Sequence, residues 1–552
     1  MNSTTKKAKA DFRVLIVYPN LPLMLIPSIS VALFTRVLRT EGYQVDLFET
    51  THYIDQEEPE TDVRVKLLNV RQFDVVKDLG ITVKHDLFGD FRRKVEEFAP
   101  DLLVFSVVED AFLQSVALLR AVEDLGIPHI LGGVYPTNAK ERCFHHPEVE
   151  MIGLGEGERI VTNLAEAIRS GGELDTIPGT WRRRADGSIA KNSMPSLIDI
   201  NLYSPDYSLF EESRFYRPMG GRVFKMIPVE TYRGCPYACT FCNSPAQQVF
   251  AKDHDLGNFL RRKRMEVLRA ELADCVRLYN PGFFYFVDDS FLARPRHEIF
   301  EFCDMYSEFG LPFWFNTRSE NCDAENLGRL KEVGCYRISF GIECGNEEFR
   351  NKVLRRKITN TEIIDRFKVI ADSEIAFSLN VIIGMPGETR ELVVDTVELV
   401  RSVEGYDALT VSIFTPYHGT VLRDVALKNG WLDANTYTSN FTSRSLLTMP
   451  PPYLNADEID GLAQVFPLYC YFPKSEWKQL RRAEASDEEG LRIRAHYADI
   501  YSKNFLGESQ DSSKTLMVTG GTGCRTNPKD SFRFSPSRLS NDDLQSLTLA
   551  AV

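Results

Sequence analysis

No apolar run in this sequence reaches the ~20 residues needed to cross a bilayer, and the polar opening MNSTTKKAKADF has no apolar centre of a secretory signal. The expectation is a soluble, cytoplasmic protein with no membrane span. A basic excess is also missing. Against 65 Lys and Arg stand 78 Asp and Glu, a formal net charge of -13, which excludes broad electrostatic capture of nucleic acid or anionic membrane and leaves room only for a local basic groove. The 11 cysteines are odd in number and thinly spread, unlike the dense paired framework of a secreted disulfide protein.

With 552 residues, 43% of them hydrophobic and 26% charged, the chain has length for two to four domains and apolar content for ordinary cores. Residues 1–11 read as a flexible start. Over 12–170, apolar strands (RVLIVYP, 43–48, DLLVFSVV, HILGG, MIGLGEG) alternate with helical spacing at 29–40 and 112–125, the pattern of a doubly wound parallel sheet. A charged stretch at 53–90 interrupts it with only partly helical character. Residues 171–222 are turn-rich and read as a connector containing a hairpin at GTWRRRADGS. From 223 to 430 six apolar strands (MIPVETY, FFYFVDD, FWFNTR, RISFGIE, FSLNVIIG, LTVSIFTPY) are separated by helical stretches. Six such units suit a partial (β/α)6 barrel, whose reactive groups lie at the strand C-terminal ends. Residues 431–505 read as a small helical cap, and the Ser, Thr, Gly and Asn-rich 506–552 as a disordered tail.

The segment TYRGCPYACTFCNSP follows the first barrel strand and carries Cys235, Cys239 and Cys242 at CxxxCxxC spacing. Three thiolates in so short a loop can hold a four-iron cluster while leaving one iron without a protein ligand. A zinc site short of one ligand and three unrelated core cysteines are the alternatives. GCPYACTFC resembles the signature of the radical S-adenosylmethionine (SAM) superfamily, and the six-unit series resembles its partial barrel. The resemblance implies a 4Fe-4S cluster whose open iron chelates SAM and cleaves it reductively to a 5'-deoxyadenosyl radical. It implies adenine near Phe241 and, at the other strand ends, SAM contacts from Asp288 and Asp289 of FVDDSF, where the usual Gly-Gly-Glu is absent. It further implies contacts from Glu343 and Arg356 of FGIECGNEEFRNKVLRRKIT, from Asn380, Gly384 and Glu388 of NVIIGMPGET, and from Thr415 and Pro416 of FTPYHGT. The bland readings are helix caps for the paired acids and the Pro-Gly-Glu turn, and a solvated face for Arg356.

In the N-terminal unit, the strand ends carry Pro19, then SVVED with Ser106, Val107 and Glu109, GGVYPTN with Gly132, Gly133, Val134, Tyr135 and Thr137, and GLGEGE with Gly153, Gly155 and Glu156. Alone these are tight turns. Ahead of such a barrel they resemble the cobalamin-binding domain fused to many radical SAM enzymes, and the resemblance implies cobalamin contacts at these residues. The Asp-x-His-x-x-Gly that supplies a histidine to cobalt is absent, and His85, His145 and His146 stand at the wrong places, so the implied cobalamin has no histidine on cobalt. The two resemblances together give a cobalamin-dependent radical SAM methyltransferase acting on an unactivated carbon of a small-molecule substrate, reduced by a flavodoxin or ferredoxin. A cobalamin-dependent cyclase or rearrangement enzyme shares the same motifs, and a non-catalytic cobalamin or iron-sulfur sensor is the reading of another class. No side chain is assigned as catalytic, and Tyr469, Tyr471, Phe472, Lys474 and Trp477 either line a substrate pocket or pack the cap.

Overall fold

The computed structural model describes residues 7–54, 59–219, 222–438, 444–507 and 517–518. The first sheet has strands β1 (Arg13–Tyr18), β2 (Gln44–Glu49), β3 (Leu102–Ser106), β4 (His129–Gly132) and β5 (Met151–Gly153), all parallel, then β6 (Thr180–Arg183) and β7 (Ile189–Lys191), antiparallel, in the order β2-β1-β3-β4-β5-β6-β7. The uninterrupted apolar runs of β1 and β3 are buried on both faces, as central parallel strands require. The expected hairpin GTWRRRADGS forms and joins the sheet as its antiparallel edge, carrying the first unit beyond residue 170.

Six parallel strands form the second sheet: β9 (Arg222–Val229), β12 (Phe283–Phe286), β13 (Phe313–Thr317), β14 (Cys335–Glu343), β15 (Ala376–Ile383) and β16 (Ala408–Ile413), in sequence order. A short β8 (Tyr216–Met219) precedes β9 and pairs with it antiparallel. Between β9 and β12 a two-residue ladder, β10 (Tyr232–Arg233) with β11 (Arg261–Arg262), brackets the cysteine loop and the helix Ser244–Asp253. Of the tail expected to be disordered, only residues 506–507 and the strand β17 (Met517–Val518), parallel to β9, lie within the described residues.

One hydrophobic core runs from one face of the first sheet (Val14, Ile16, Leu102, Ile130) through Tyr207, Phe210 and Phe215 of the connector into the barrel; the other face of that sheet has its own core around Leu15, Val17, Phe105 and Leu131. The irregular 53–90 stretch contains helices Glu60–Lys66 and Val75–Leu79 and the start of Leu87–Phe98. Its Asn69 reaches the edge strand β16, donating from Nδ2 to the carbonyl of Val411 at 2.9 Å and accepting from its N–H at 2.8 Å. Among the described residues the cap has three α-helices, Ala456–Tyr471, Trp477–Ala483 and Glu488–Tyr501. Tyr469, Tyr471 and Phe472 are buried there among neighbouring side chains, and the Arg401 guanidinium donates to the carbonyls of Tyr469, Cys470 and Phe472. These aromatics pack the cap. No described helix is long and apolar enough to cross a membrane.

Candidate active site

The stem of the cysteine loop, Thr231 and Tyr232, is pinned by Asp288 at the end of β12. This buried carboxylate accepts from both backbone N–H groups (2.7 and 3.0 Å) and from the Thr231 hydroxyl, and pairs with buried Arg294 at 2.5 Å. Its acceptor capacity is thus taken up by structure. Asp289, the next residue, is exposed and accepts from the Ser244 hydroxyl at 2.7 Å.

The three thiols lie half-buried, within electrostatic range of one another. Desolvation raises all three, Cys235 to about 11 and Cys242 to about 12, so binding a metal must displace their protons. The Ser244 N–H points at the Cys242 sulfur, 3.4 Å away. Among the described residues no group of three His, Cys, Asp or Glu side chains converges as a single ion requires. Three thiolates on a four-iron cube bind three different irons and need no such convergence, whereas a tetrahedral zinc site does. The donor set, three thiolates on one loop at a strand end, fits the cluster.

Beside Cys239 stand Glu343, Arg356 and Arg318. Glu343 ends β14 with φ +64°, a left-handed backbone rare for a side chain-bearing residue. Its buried carboxyl accepts from Arg356 at 2.9 Å, while Arg356 also donates to the Gly341 carbonyl at 2.6 Å. The solvated-face reading of Arg356 is overturned, since it is 5% exposed. Arg318, at the end of β13, lies 3.8 Å over the ring of Tyr237, inside the cysteine motif, and pairs with Glu320. The Nε atoms of both arginines are buried with no acceptor. They are a ready match for an anionic group such as the SAM carboxylate. Arg318 was missed in sequence, although its place, at the end of a barrel strand, is where such a residue belongs.

Phe241 packs partly buried against the core, and Asn380 is half-buried on β15, in register between Gly341 and Thr410. Glu388 is wholly buried and folds back on its own turn, accepting from the N–H groups of Gly384 (2.5 Å) and Met385 (3.2 Å). Burial lifts its pKa to about 8. Gly384 has φ +79°, and a Cβ there would lie 2.8 Å from Ile459 of the cap. After β16, Thr415 is half-buried, and Pro416 accepts from Arg423 at 2.7 Å through its carbonyl.

The loops of the first sheet divide into two groups. Buried Pro19 closes β1, and Val107 is buried with its N–H on the Gly132 carbonyl at 2.8 Å. Gly133 has φ +126°, and a Cβ there would strike the Val107 carbonyl oxygen, so the position requires glycine. Thr137 accepts from the N–H of Gly155 at 2.9 Å and donates to the Gly133 carbonyl at 2.7 Å, stapling the β4 loop to the β5 loop just beyond Gly153. Tyr135 is buried, edge-on to His418. Gly155 meets Phe250 of the helix after the cysteine loop. Glu109 and Glu156 turn to the barrel: Glu109 accepts from the backbone N–H and ring nitrogen of His418 (2.9 and 2.8 Å), and Glu156 pairs with Arg233 (3.0 Å) and Arg261 (2.5 Å). What stays open is a ledge where strand order reverses: Ser30 and Ser106, 3.1 Å apart, with Val108 48% and Val134 42% exposed. Hydroxyls beside exposed apolar surface at a topological switch point fit a large, partly apolar cofactor.

Residues 229–400 match the model of the radical SAM superfamily. The anaerobic magnesium-protoporphyrin IX monomethyl ester cyclase of Cereibacter sphaeroides is 24% identical over 354 residues, covering 62% of this chain and 55% of the relative, so this chain spans little more than half of that protein. The structure resembles that of the cobalamin-dependent S-adenosylmethionine radical enzyme OxsB with aqua-cobalamin and S-adenosylmethionine bound (TM-score 0.60, 14% identity, 91% of this chain and 74% of that one). It also resembles the radical S-adenosylmethionine methyltransferase TsrM from Kitasatospora setae with cobalamin and a [4Fe-4S] cluster bound (TM-score 0.57, 15% identity, 89% and 99%). The chain thus carries a radical SAM domain and shares the fold of cobalamin-dependent radical SAM enzymes over nine tenths of its length.

Proposed function

We propose that this protein is a cobalamin-dependent radical SAM methyltransferase that methylates an unactivated carbon of a small-molecule substrate. One observation carries the reading: the three-thiol loop abuts the C-terminal edge of the first sheet. Asn243, next to Cys242, donates to the His418 carbonyl at 2.7 Å, and His418 bonds Glu109 in the loop after β3. Two cofactors that serve one substrate must face one compartment. The TsrM match, covering 99% of that chain, supports methyl transfer.

Cys235, Cys239 and Cys242 hold the cluster in this reading, and the ledge of Ser30, Ser106, Val108 and Val134 receives cobalamin. When bound, the cluster supplies the electron that splits SAM into methionine and a 5'-deoxyadenosyl radical, and cobalamin supplies the methyl group. Arg318 and Arg356 offer their unsatisfied N–H groups to the SAM carboxylate, and Glu343, oriented by Arg356, accepts from its amine. Phe241, Asn380, the Gly384 turn and the Thr415-Pro416 segment border the adenine. A flavodoxin or ferredoxin supplies electrons.

Anaerobic purification with cobalamin, then iron and cobalt quantification and a search for 5'-deoxyadenosine from SAM plus reductant, tests this. About four irons and one cobalt per chain are expected; a chain that takes up no iron overturns it. Cyclisation is the second reading, favoured by the cyclase relative. Product mass separates the two: gain of a methylene unit for transfer, loss of hydrogen or gain of oxygen for cyclisation.

A further inference from the structure

The cysteine loop is gripped at both ends from the first sheet. At its start Arg233, two residues ahead of Cys235, binds three carboxylates: Glu230 of its own segment (2.9 Å), Glu156 of the loop after β5 and Glu158 at the start of the helix that follows it (3.0 Å each). Glu156 also holds Arg261 in the facing strand β11 and accepts from the Ile198 N–H at 2.9 Å. Only Gly234 separates Arg233 from Cys235. It has φ +98°, and a Cβ there would lie 2.9 Å from the Phe259 ring and carbonyl, so the link has no slack. At the loop's other end, Asn243 follows Cys242 directly and hangs on the His418 carbonyl, while Glu109 fixes the His418 backbone and ring. Glu109 and Glu156 each stand three residues beyond a strand of the first sheet, β3 and β5. A ligand seated on that edge meets the same two loops.

We propose that Glu156 and Glu109 are positioning residues, through which the first sheet clasps the two ends of the cysteine loop and sets the placement of its thiols. The clasp rests on the reading above only in what the thiols hold, because the grip itself is made by protein atoms. Contacts that merely glued the two sheets together would change melting temperature and leave the thiols as they are. A clasp changes the thiols themselves.

The test is site-resolved iodoacetamide labelling of the full-length, metal-free chain under reducing conditions, followed by reconstitution with iron and sulfide and electron paramagnetic resonance of the reduced protein. Glu156→Gln is expected to raise the labelling rate of Cys235 by about three-fold or more through local loosening, and Glu109→Gln that of Cys242. Glu150→Gln, whose partner is Arg182 at the sheet's antiparallel edge, is expected to change neither. Reconstituted Glu156→Gln is expected to show shifted g values. If Glu156→Gln does not fold, Arg233→Gln opens the same clasp from the barrel side. Unchanged labelling and unchanged spectra in the folded variants overturn the proposal. A wild-type chain that takes up no iron, with labelling differences intact, overturns the cluster assignment and leaves the clasp standing.

Discussion

Glu388 has no exposed surface and one carboxyl oxygen without a partner, so its acid form persists to a pH of about 8. The unfolded chain loses that proton near the ordinary value of 4.5. Between the two pH values the folded state holds the extra proton, and stability falls as pH rises, by up to about 1.4 kcal/mol per unit. Below 4.5 both states are protonated and the penalty is absent; above 8 it is fully in place. Glu388→Gln is therefore expected to flatten the decline of the melting temperature from pH 5 to pH 8 in the metal-free protein; parallel profiles for the two proteins would contradict it. The two neighbouring aspartates should separate cleanly. Asp288→Ala strands buried Arg294 and frees the loop stem, at a cost of about 3 kcal/mol, with lower iron uptake. Asp289→Asn, on an exposed group, is expected to leave the melting temperature within about 2 °C of wild type, since surface substitutions rarely exceed ~0.5 kcal/mol. Denaturation and iron assays on both variants decide it.

The turn after β15 is where barrel and cap meet, since Gly384 faces Ile459 and the Leu454 N–H donates to the Glu388 carbonyl at 3.1 Å. Gly384→Ala forces a Cβ into both a positive φ and a close contact, and is expected to destabilise by about 2 kcal/mol and weaken SAM binding. A denaturant midpoint equal to wild type would contradict it. The elements that place this turn were legible in sequence: each barrel strand is a short apolar run bounded by turn residues, and the three cysteines follow the first. The helix Ser244–Asp253 was not, because only Ala251 of its ten residues is buried and so no apolar stripe marks it. Nor were the partners of Glu109 and Glu156, placed among ligand contacts by their positions in loops at strand ends. His418 lies 309 positions from Glu109, and Arg233 lies 77 from Glu156, and a pairing of that span leaves no periodic trace. Arg318 escaped for another reason: an arginine at a strand end reads the same whether it points to water or to a half-buried aromatic ring.

At the scale of the molecule, the shared core through Tyr207, Phe210 and Phe215 makes the two sheets thermodynamic partners. A single calorimetric unfolding transition is expected for the metal-free chain; two well-separated transitions would show that the halves melt independently. Partnership reaches even the far side of the barrel. A half-closed sheet ends in a strand with unpaired backbone groups, an invitation to pair with another molecule. Here the side chain of Asn69, from a stretch with no periodic signal, imitates the backbone of a neighbouring strand and occupies both groups of Val411. A single amide thus takes the place of a neighbouring strand at one residue of the barrel's last strand. Losing it would first be felt as a fall in soluble yield, before any change in chemistry.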